Sequence, residues 1–134
     1  MKRVVYTSKA TGPMSENDLV VLLVQSRSNN ERDGITGMLL YAEGVFLQCI
    51  EGPEYSIADL MGRLEVDPRH ADFRVIHESR CDDRRFDDWT MGFRAVTAAD
   101  VAGVLKRVGV DLPSDASADD SALQLLQRLA HEPG

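Results

Sequence analysis

The sequence of 134 residues predicts one α+β domain, and three observations support this fold class. Short runs rich in β-branched and aromatic residues alternate with longer segments of helical periodicity. Two of the short runs, residues 35–41 and 45–50, flank a turn that contains Gly44, which predicts a β-hairpin. Apolar residues then recur at positions i, i+3, i+4 and i+7, as in an amphipathic helix. A chain of this length can bury a substantial core.

The first predicted elements are a strand and a helix. Residues 4–8 form a β-branched run, and its alternation places Tyr6 on one face of a central strand. A tyrosine at such a position is usually a core residue whose hydroxyl bonds to backbone. Residues 15–18 resemble a capping box, and the apolar residues that follow predict a well-buried helix that ends near Asn29. Two adjacent amides, Asn29 and Asn30, can serve as a C-cap of this helix, and they also stand beside the start of the hairpin.

The hairpin is the centre of the predicted sheet. Its first strand is almost continuously apolar, which is typical of a strand covered on both faces. In its second strand, Phe46, Gln48 and Ile50 share one face, and Gln48 is the discordant polar residue. A primary amide there needs partners for two donors and one acceptor. Nearby backbone or a bound polar ligand can supply these partners, and the sequence leaves both interpretations open.

The second half of the chain predicts a helix, two strands and two further helices. Residues 56–59 can cap the second helix, residues 73–79 and 89–93 alternate as strands, and residues 97–100 cap a helix that runs to about Arg107. A final amphipathic helix is predicted at residues 120–131. The apolar stripe of the second helix consists of Ile57, Leu60, Met61 and Leu64.

The predicted order gives a ferredoxin-like βαββαβ core with a fifth strand and two C-terminal helices. In that core both helices lie on one face of the sheet. We therefore expect the C-terminal helices to cover the other face, alone or together with a partner chain.

Composition excludes several classes of function. A net charge of −7 and a pI near 4.9 argue against nucleic-acid binding. No apolar stretch approaches the length of a membrane span and the N-terminus lacks a signal-peptide pattern, so we expect a cytoplasmic protein. The spacing of Cys49 and Cys81 predicts reduced thiols, and the three scattered histidines predict no metal site.

One group of charged residues follows the second helix. Arg63 and Asp67 are four residues apart, and His70 comes shortly after them. This spacing is typical of a surface ion pair. The same Arg and His are also suited to an anionic group such as a phosphate, and both interpretations stay open.

Several motifs occur in a fixed order along these elements. They are the Tyr of the first strand, the Asn pair of the first helix, GITGMLLY, GVFLQCIEGP with its central Gln, DPRH, and RRFDDWTMGF. Each is weak alone, but in this order they closely resemble the BLUF family, blue-light sensors that use flavin. The resemblance covers residues 4–93. The C-terminal helices are similar to those of the short, stand-alone members.

The resemblance implies a bound FAD between the two core helices and a set of residues that serve it. Tyr6 would be the light-driven electron donor and Gln48 would link the phenol to the flavin. Trp89 and Met91 would lie on the strand that carries the signal outward. The implied cofactor-binding residues are Tyr6, Ser26, Asn29, Asn30, Phe46, Gln48, Arg63, Asp67 and His70.

The resulting hypothesis is a non-enzymatic photoreceptor that signals to an unidentified downstream protein. Residues 1–96 would form the BLUF sensor core, and residues 97–134 a helical extension that packs on the sheet or at a dimer interface. We expect a homodimer or a higher homo-oligomer. The alternatives are a flavin-dependent oxidoreductase, for which the sequence offers no GxGxxG motif, and a flavin-free ferredoxin-like regulatory domain.

Overall fold

The computed structural model describes residues 1–12, 15–68, 70–86, 89–92, 97–110 and 124–126, with residues 16, 19, 23, 70 and 89–92 described by their backbone alone. The elements are β1 (Lys2–Ala10), α1 (Glu16–Asp33), β2 (Thr36–Ala42), β3 (Val45–Gly52), α2 (Glu54–Glu65), β4 (His70–Arg80), β5 (Trp89–Gly92) and α3 (Ala98–Arg107). This order confirms the predicted succession of elements. Residues 124–126 are helical, and the rest of the predicted final helix lies outside the described residues.

The five strands form one sheet in the order β4-β1-β3-β2-β5. The first four strands of this order pair antiparallel, whereas β5 pairs parallel to β2. The predicted α+β, ferredoxin-like fold class is confirmed. The hairpin turns through Glu43 and Gly44, whose φ angles of 44° and 91° are both left-handed. Such two-residue turns match the twist of the strands that they join.

Both faces of the central strand β3 are buried, and its residues contribute to the two faces in alternation. Phe46 and Ile50 pack with Tyr6 on the face that carries α1 and α2, while Leu47 and Cys49 point to the opposite face. The predicted alternation is therefore confirmed. Helix α3 and the two leucines of the final segment cover the opposite face. The buried residues of that layer are Val5, Leu40, Val45, Leu47, Cys49, Phe86, Val101, Val104, Leu105, Val108, Leu125 and Leu126.

Helix α1 begins where the sequence predicts and ends later. The Ser15 hydroxyl accepts from the Asp18 amide at 3.1 Å, and the Asp18 carboxylate accepts from the Ser15 amide at 3.0 Å, which confirms the capping box. The predicted end near Asn29 is wrong, because the helix continues to Asp33. No residue stops the helix before Gly34, which adopts φ 72° and caps the last turn.

The prediction that the middle of α1 is buried is also wrong. Leu22 is buried against the sheet, but Val20, Val21 and Val24 are exposed. A helix lying on one face of a sheet presents only one side to it, so a segment that is apolar all round leaves some side chains in solvent.

The other helices differ from prediction only at one boundary. Helix α2 starts after Pro53, earlier than the predicted cap at Ser56, and Ile57 donates to the Pro53 carbonyl at 3.0 Å. Its predicted stripe is confirmed, with Ile57 and Leu60 buried and the other two residues partly buried. Helix α3 has the predicted capping box between Thr97 and Asp100. Within the described residues, no helix is long and apolar enough to cross a bilayer.

The connection from β4 to β5 is held on the sheet by the buried carboxylate of Glu51. This carboxylate accepts from Arg3 Nε at 2.8 Å, from the Arg85 amide at 2.8 and 2.9 Å, and from the Phe86 amide at 2.7 Å. The side chain of Phe86 is buried beneath α3, where the guanidinium of Arg107 lies 4.7 Å from the centre of its ring.

Arg84 fastens the same connection to the start of the hairpin. Its guanidinium donates to the Gly34 carbonyl at 2.8 Å, to Thr36 Oγ1 at 2.7 Å and to the Glu51 carbonyl at 3.0 Å. The segment that leads into β5 is therefore tied to both strands of the hairpin and to the end of α1.

Candidate functional site

A cavity of about 590 Å³ lies between α1, α2 and the sheet. Its volume is within the range of cofactor and small-molecule sites. Apolar side chains form much of its wall, and amides and a few charged groups form the rest. The lining residues are Leu22, Val24, Gln25, Ser26, Ser28, Asn29, Asn30, Leu39, Phe46, Gln48, Leu60, Arg63, Leu64 and Asp67.

Most of the residues implied by the resemblance meet at this cavity. Helix α1 contributes three of them, and two of these follow the first by three and four residues, which places them on its side of the helix. Strand β3 contributes two that share a face, and the other two come from α2 and the turn after it. These residues are Ser26, Asn29, Asn30, Phe46, Gln48, Arg63 and Asp67.

Tyr6 lies beside the cavity and directly opposite Gln48. The two residues are cross-strand partners in the antiparallel pairing of β1 with β3, so their side chains share one sheet face. The Tyr6 ring is buried and stacks on Phe73, with 4.5 Å between the ring centres. Burial raises the pKa of the Tyr6 phenol well above its usual value of 10. The phenol therefore stays protonated over the whole physiological range of pH.

Two buried oxygens on this face lack a hydrogen-bond partner among the described residues. They are the hydroxyl of Tyr6 and Oδ1 of Asn30. A buried polar atom without a partner costs roughly 1–3 kcal/mol, so such atoms usually serve a ligand or an ordered water. Thr7 Oγ1 also lacks a partner among the described residues, but it points to the opposite face of the sheet.

Three of the predicted residues are located by their backbone only. His70 is the first residue of β4 and pairs with Ala10. Trp89 and Met91 lie on β5, in register with Gly37 and Leu39 of β2. Leu39 lines the cavity, so β5 runs next to a strand that forms its wall. The side chains of these three residues lie outside the described part of the chain.

At the rim of the cavity, Arg63 forms two ion pairs that the sequence did not predict. The Arg63 guanidinium contacts Asp33 at 3.1 Å and Asp59 at 3.3 Å. Asp33 was not predicted as part of the site, because it lies beyond the predicted end of α1. The described residues contain no group of three His, Cys, Asp or Glu side chains that could hold a metal ion.

Sequence reasoning also missed the apolar wall of the cavity. Leu22, Leu39, Leu60 and Leu64 line it, although their periodicity alone indicates ordinary core positions. Leu60, Arg63, Leu64 and Asp67 recur at helical spacing, and this run was the available signal that one side of α2 is partly apolar and partly charged. Whether the apolar or the charged part of this side of α2 faces a ligand depends on the distance between α1 and α2. The sequence does not give that distance.

A ferredoxin-like domain with an amide-lined cavity and an adjacent buried phenol defines a class of ligand-binding module. The profile of the family described as "Sensors of blue-light using FAD" matches residues 1–92, and the chain belongs to this BLUF family. The photoactivated adenylate cyclase subunit beta of Euglena gracilis is 37% identical over 87 residues, which are 64% of this chain and 10% of the relative. The chain thus spans about a tenth of the length of the curated relatives it matches.

Solved structures give the same result. The dark-state structure of BlrB, a BLUF protein, has a TM-score of 0.66 and 30% identity, and the match covers 96% of this chain and 94% of that one. A bacterial light-regulated adenylyl cyclase also has a TM-score of 0.66 and 30% identity, with coverage of 81% and 33%. These findings favour a blue-light sensor over the two alternative classes.

The residues around the cavity fit FAD, the cofactor that defines the family. The partly apolar wall suits a flat aromatic ring, and the amides of Asn30 and Gln48 offer donors and acceptors to its polar edge. The unpaired oxygens of Tyr6 and Asn30 lie on the same sheet face as the cavity. The donor set and the shape of the site therefore agree with a flavin.

Proposed function

We propose that this chain is a non-enzymatic photoreceptor in which Tyr6 and Gln48 convert light absorption into a change of hydrogen bonding. The observation that carries the proposal is the direct opposition of these two residues on β1 and β3, with Gln48 lining the cavity. Asn30 and Phe46 hold the ring, with Ser26 and Asn29 beside them. Arg63, Asp67 and His70 serve the ribityl and phosphate part.

The chemistry of the two side chains suits this relay. When bound, FAD supplies the absorption of blue light and, once excited, a strong oxidant. Tyr6 would donate one electron and its phenolic proton together, both to the bound flavin, because a positively charged phenol radical is costly in a buried site. Gln48 has both a donor and an acceptor end, so rotation or a tautomeric shift reverses the hydrogen bonds it makes. One such bond is worth about 0.5–1.5 kcal/mol net, which suits a switch that reverts in darkness.

The output passes to a downstream protein. We propose that β5, with Trp89 and Met91, and the helices in residues 97–134 carry the signal away from the core of residues 1–96. The parallel pairing of β5 with β2 supports this route, because β2 contributes Leu39 to the cavity wall. We further propose that the chain forms a homodimer or a higher homo-oligomer. Sedimentation velocity in darkness and under blue light tests the assembly.

A light-minus-dark absorption spectrum tests the relay. The wild-type protein should be yellow, and its flavin absorption should shift to the red under blue light and recover in darkness. Tyr6→Phe and Gln48→Leu should each retain the flavin and lose the shift, since each removes a hydrogen-bonding group of the relay. Tyr55→Phe makes the same chemical change at an exposed site and should keep the shift. A normal shift in either relay variant would show that these residues do not form the relay.

A further inference from the structure

Arg63 is the cation that lines the cavity among the described residues, and its position decides where a phosphate can lie. The interior of the cavity is formed by apolar side chains and neutral amides such as Asn30 and Gln48. Burial of a phosphate among such groups is costly because the charge would lose its hydration. The phosphate of a bound flavin nucleotide should therefore lie outside the apolar interior, at the charged rim of the cavity. The side chain of Arg63 is 41% exposed, which places it at that rim.

The guanidinium of Arg63 already has two carboxylate partners. Its Nη2 contacts Asp33 Oδ2 at 3.1 Å, and its Nε contacts Asp59 Oδ2 at 3.3 Å. Asp59 lies on the same helix as Arg63, four residues earlier, and its side chain is 57% exposed. Asp33 is the last residue of α1 and is 22% exposed, so its ion pair with Arg63 crosses between the two helices that flank the cavity.

Asp33 is charged at neutral pH. The hydrogen bond from Arg32, at 3.3 Å, is the main reason that the pKa of Asp33 lies below its usual value, and the charges of Arg32 and Arg63 act in the same direction. A phosphate that approaches Arg63 therefore meets a guanidinium that is already paired, and it is repelled by the negative charge of Asp33. The attraction of Arg63 for the phosphate is reduced on both counts.

We propose that Asp33 is a specificity-determining residue that competes with the cofactor's phosphate for Arg63. This inference rests on the proposed flavin site and adds to it. By occupying Arg63, Asp33 reduces the share of the binding free energy that comes from the phosphate, so the ring and the sugar chain dominate recognition. Removal of the Asp33 charge leaves Arg63 paired through Nε with Asp59 alone, so Nη2 becomes available to the phosphate and the site prefers flavins that carry one.

Dissociation constants for riboflavin and FMN test this proposal, because the two ligands differ only by the phosphate. The constants are measured in darkness at fixed ionic strength, by flavin fluorescence with the flavin-depleted full chain. Asp33→Asn should tighten FMN binding by about two- to fivefold, the range expected for one exposed ion pair, and should leave riboflavin binding unchanged. Asp33→Ser provides the same comparison if the Asn variant fails to fold.

Two further variants separate the proposal from general effects of charge. Glu65→Gln removes one exposed negative charge from α2 and should not change the ratio of the two constants. In the double variant Asp33→Asn/Arg63→Gln, the gain for FMN should disappear. Equal changes for riboflavin and FMN, or a gain that persists without Arg63, would overturn the proposal. A wild-type chain that binds neither ligand, or binds them without a light-induced shift, would instead refute the proposed function.

Discussion

The carboxylate of Glu51 is fully buried, and its partners are one side chain and two backbone amides. Arg3 supplies the compensating charge at 2.7 Å, so the carboxylate is both paired and hydrogen-bonded. A buried charge is tolerated only when its partners are complete, and loss of one partner leaves the others uncompensated. The stability of the β4–β5 connection therefore depends strongly on this one residue.

We expect Glu51→Gln to destabilise the protein by about 3 kcal/mol. The amide keeps one acceptor oxygen but turns an NH₂ group towards N–H donors, and it leaves Arg3 without its counter-charge. Urea-induced unfolding of the purified variants measures the change. Glu78→Gln is the matched control, because Glu78 pairs with Lys2 at a half-exposed site, and its effect should stay below about 1 kcal/mol. Equal effects of the two substitutions would contradict the role assigned to Glu51.

Cys49 is the second residue whose behaviour follows from burial. Burial, together with the negative charge of Glu51, raises the pKa of its thiol from 9 to about 12. At pH 8.5 the native thiol is therefore almost entirely protonated. Cys81 is partly exposed. A thiol-specific disulfide reagent should modify one thiol per native chain at pH 8.5 and a second only after unfolding.

The same pKa shift makes stability depend on pH. Because the unfolded thiol ionises near pH 9 and the folded one near pH 12, the contribution of Cys49 is complete below pH 9 and is lost as the pH rises from 9 to 12.

Cys81→Ser is the control for the labelling experiment and should leave no rapidly modified thiol in the native chain. Rapid modification of that variant would show that Cys49 is accessible.

At the scale of elements, local sequence signals predicted the caps at Ser15 and Thr97 and the faces of strands, but not the first turn of α2 or the end of α1. The capping boxes at Ser15 and Thr97 involve residues three apart, so they are visible in the sequence. The alternation along β3 has a period of two and was equally visible. The end of α1 depends on Gly34 and on the chain that follows it, and the exposure of Val24 depends on how the helix lies on the sheet.

Gly37 of β2 lies where β3 leaves no room for a side chain. A Cβ atom at this position would overlap the Cys49 carbonyl oxygen and would lie 3.0 Å from its carbonyl carbon and 3.1 Å from the Ile50 Cα. These atoms belong to the backbone and cannot rotate away. Gly37→Ala should therefore destabilise the protein by about 3 kcal/mol in urea-induced unfolding, as expected for overpacking.

The control for Gly37 is a glycine within a helix. A methyl group at Gly62 of α2 would meet no atom of the described residues within 4 Å beyond the backbone of its own helix. Gly62→Ala should therefore be neutral or stabilise the protein by about 0.5–1 kcal/mol. If Gly37→Ala had no more effect than Gly62→Ala, the two strands would have to be further apart than the structure shows.

At the scale of the whole molecule, one sheet separates two layers. The layer on the α1–α2 side contains the cavity, and the layer on the other side contains α3 and Phe86. The family and the polar side of the site followed from the sequence, because the motifs that carry them are local. The pairing of Arg63 with Asp33 did not, since it joins two helices whose separation is set by the packing of the complete fold.

Flavin binding should stabilise the complete domain, because a flavin in the cavity would contact two helices and the sheet, which come together only in the folded state. At a free FAD concentration one hundred times its dissociation constant, the gain is about 2.7 kcal/mol, or roughly 10 °C in Tm for a chain of this size. Thermal unfolding with and without FAD measures it. AMP at the same concentration is the control and should leave Tm unchanged, because it lacks the ring. An unchanged Tm with FAD would contradict the assignment of the cavity.

The alternation of β3 brings the two layers within one peptide unit of each other. Gln48 lines the cavity, while its neighbours in the chain, Leu47 and Cys49, belong to the layer that packs under α3. A shift of the main chain at Gln48 therefore also moves the side chains of Leu47 and Cys49 on the opposite face of the sheet. A change at Gln48 therefore reaches the layer under α3 without a long chain of intermediate contacts.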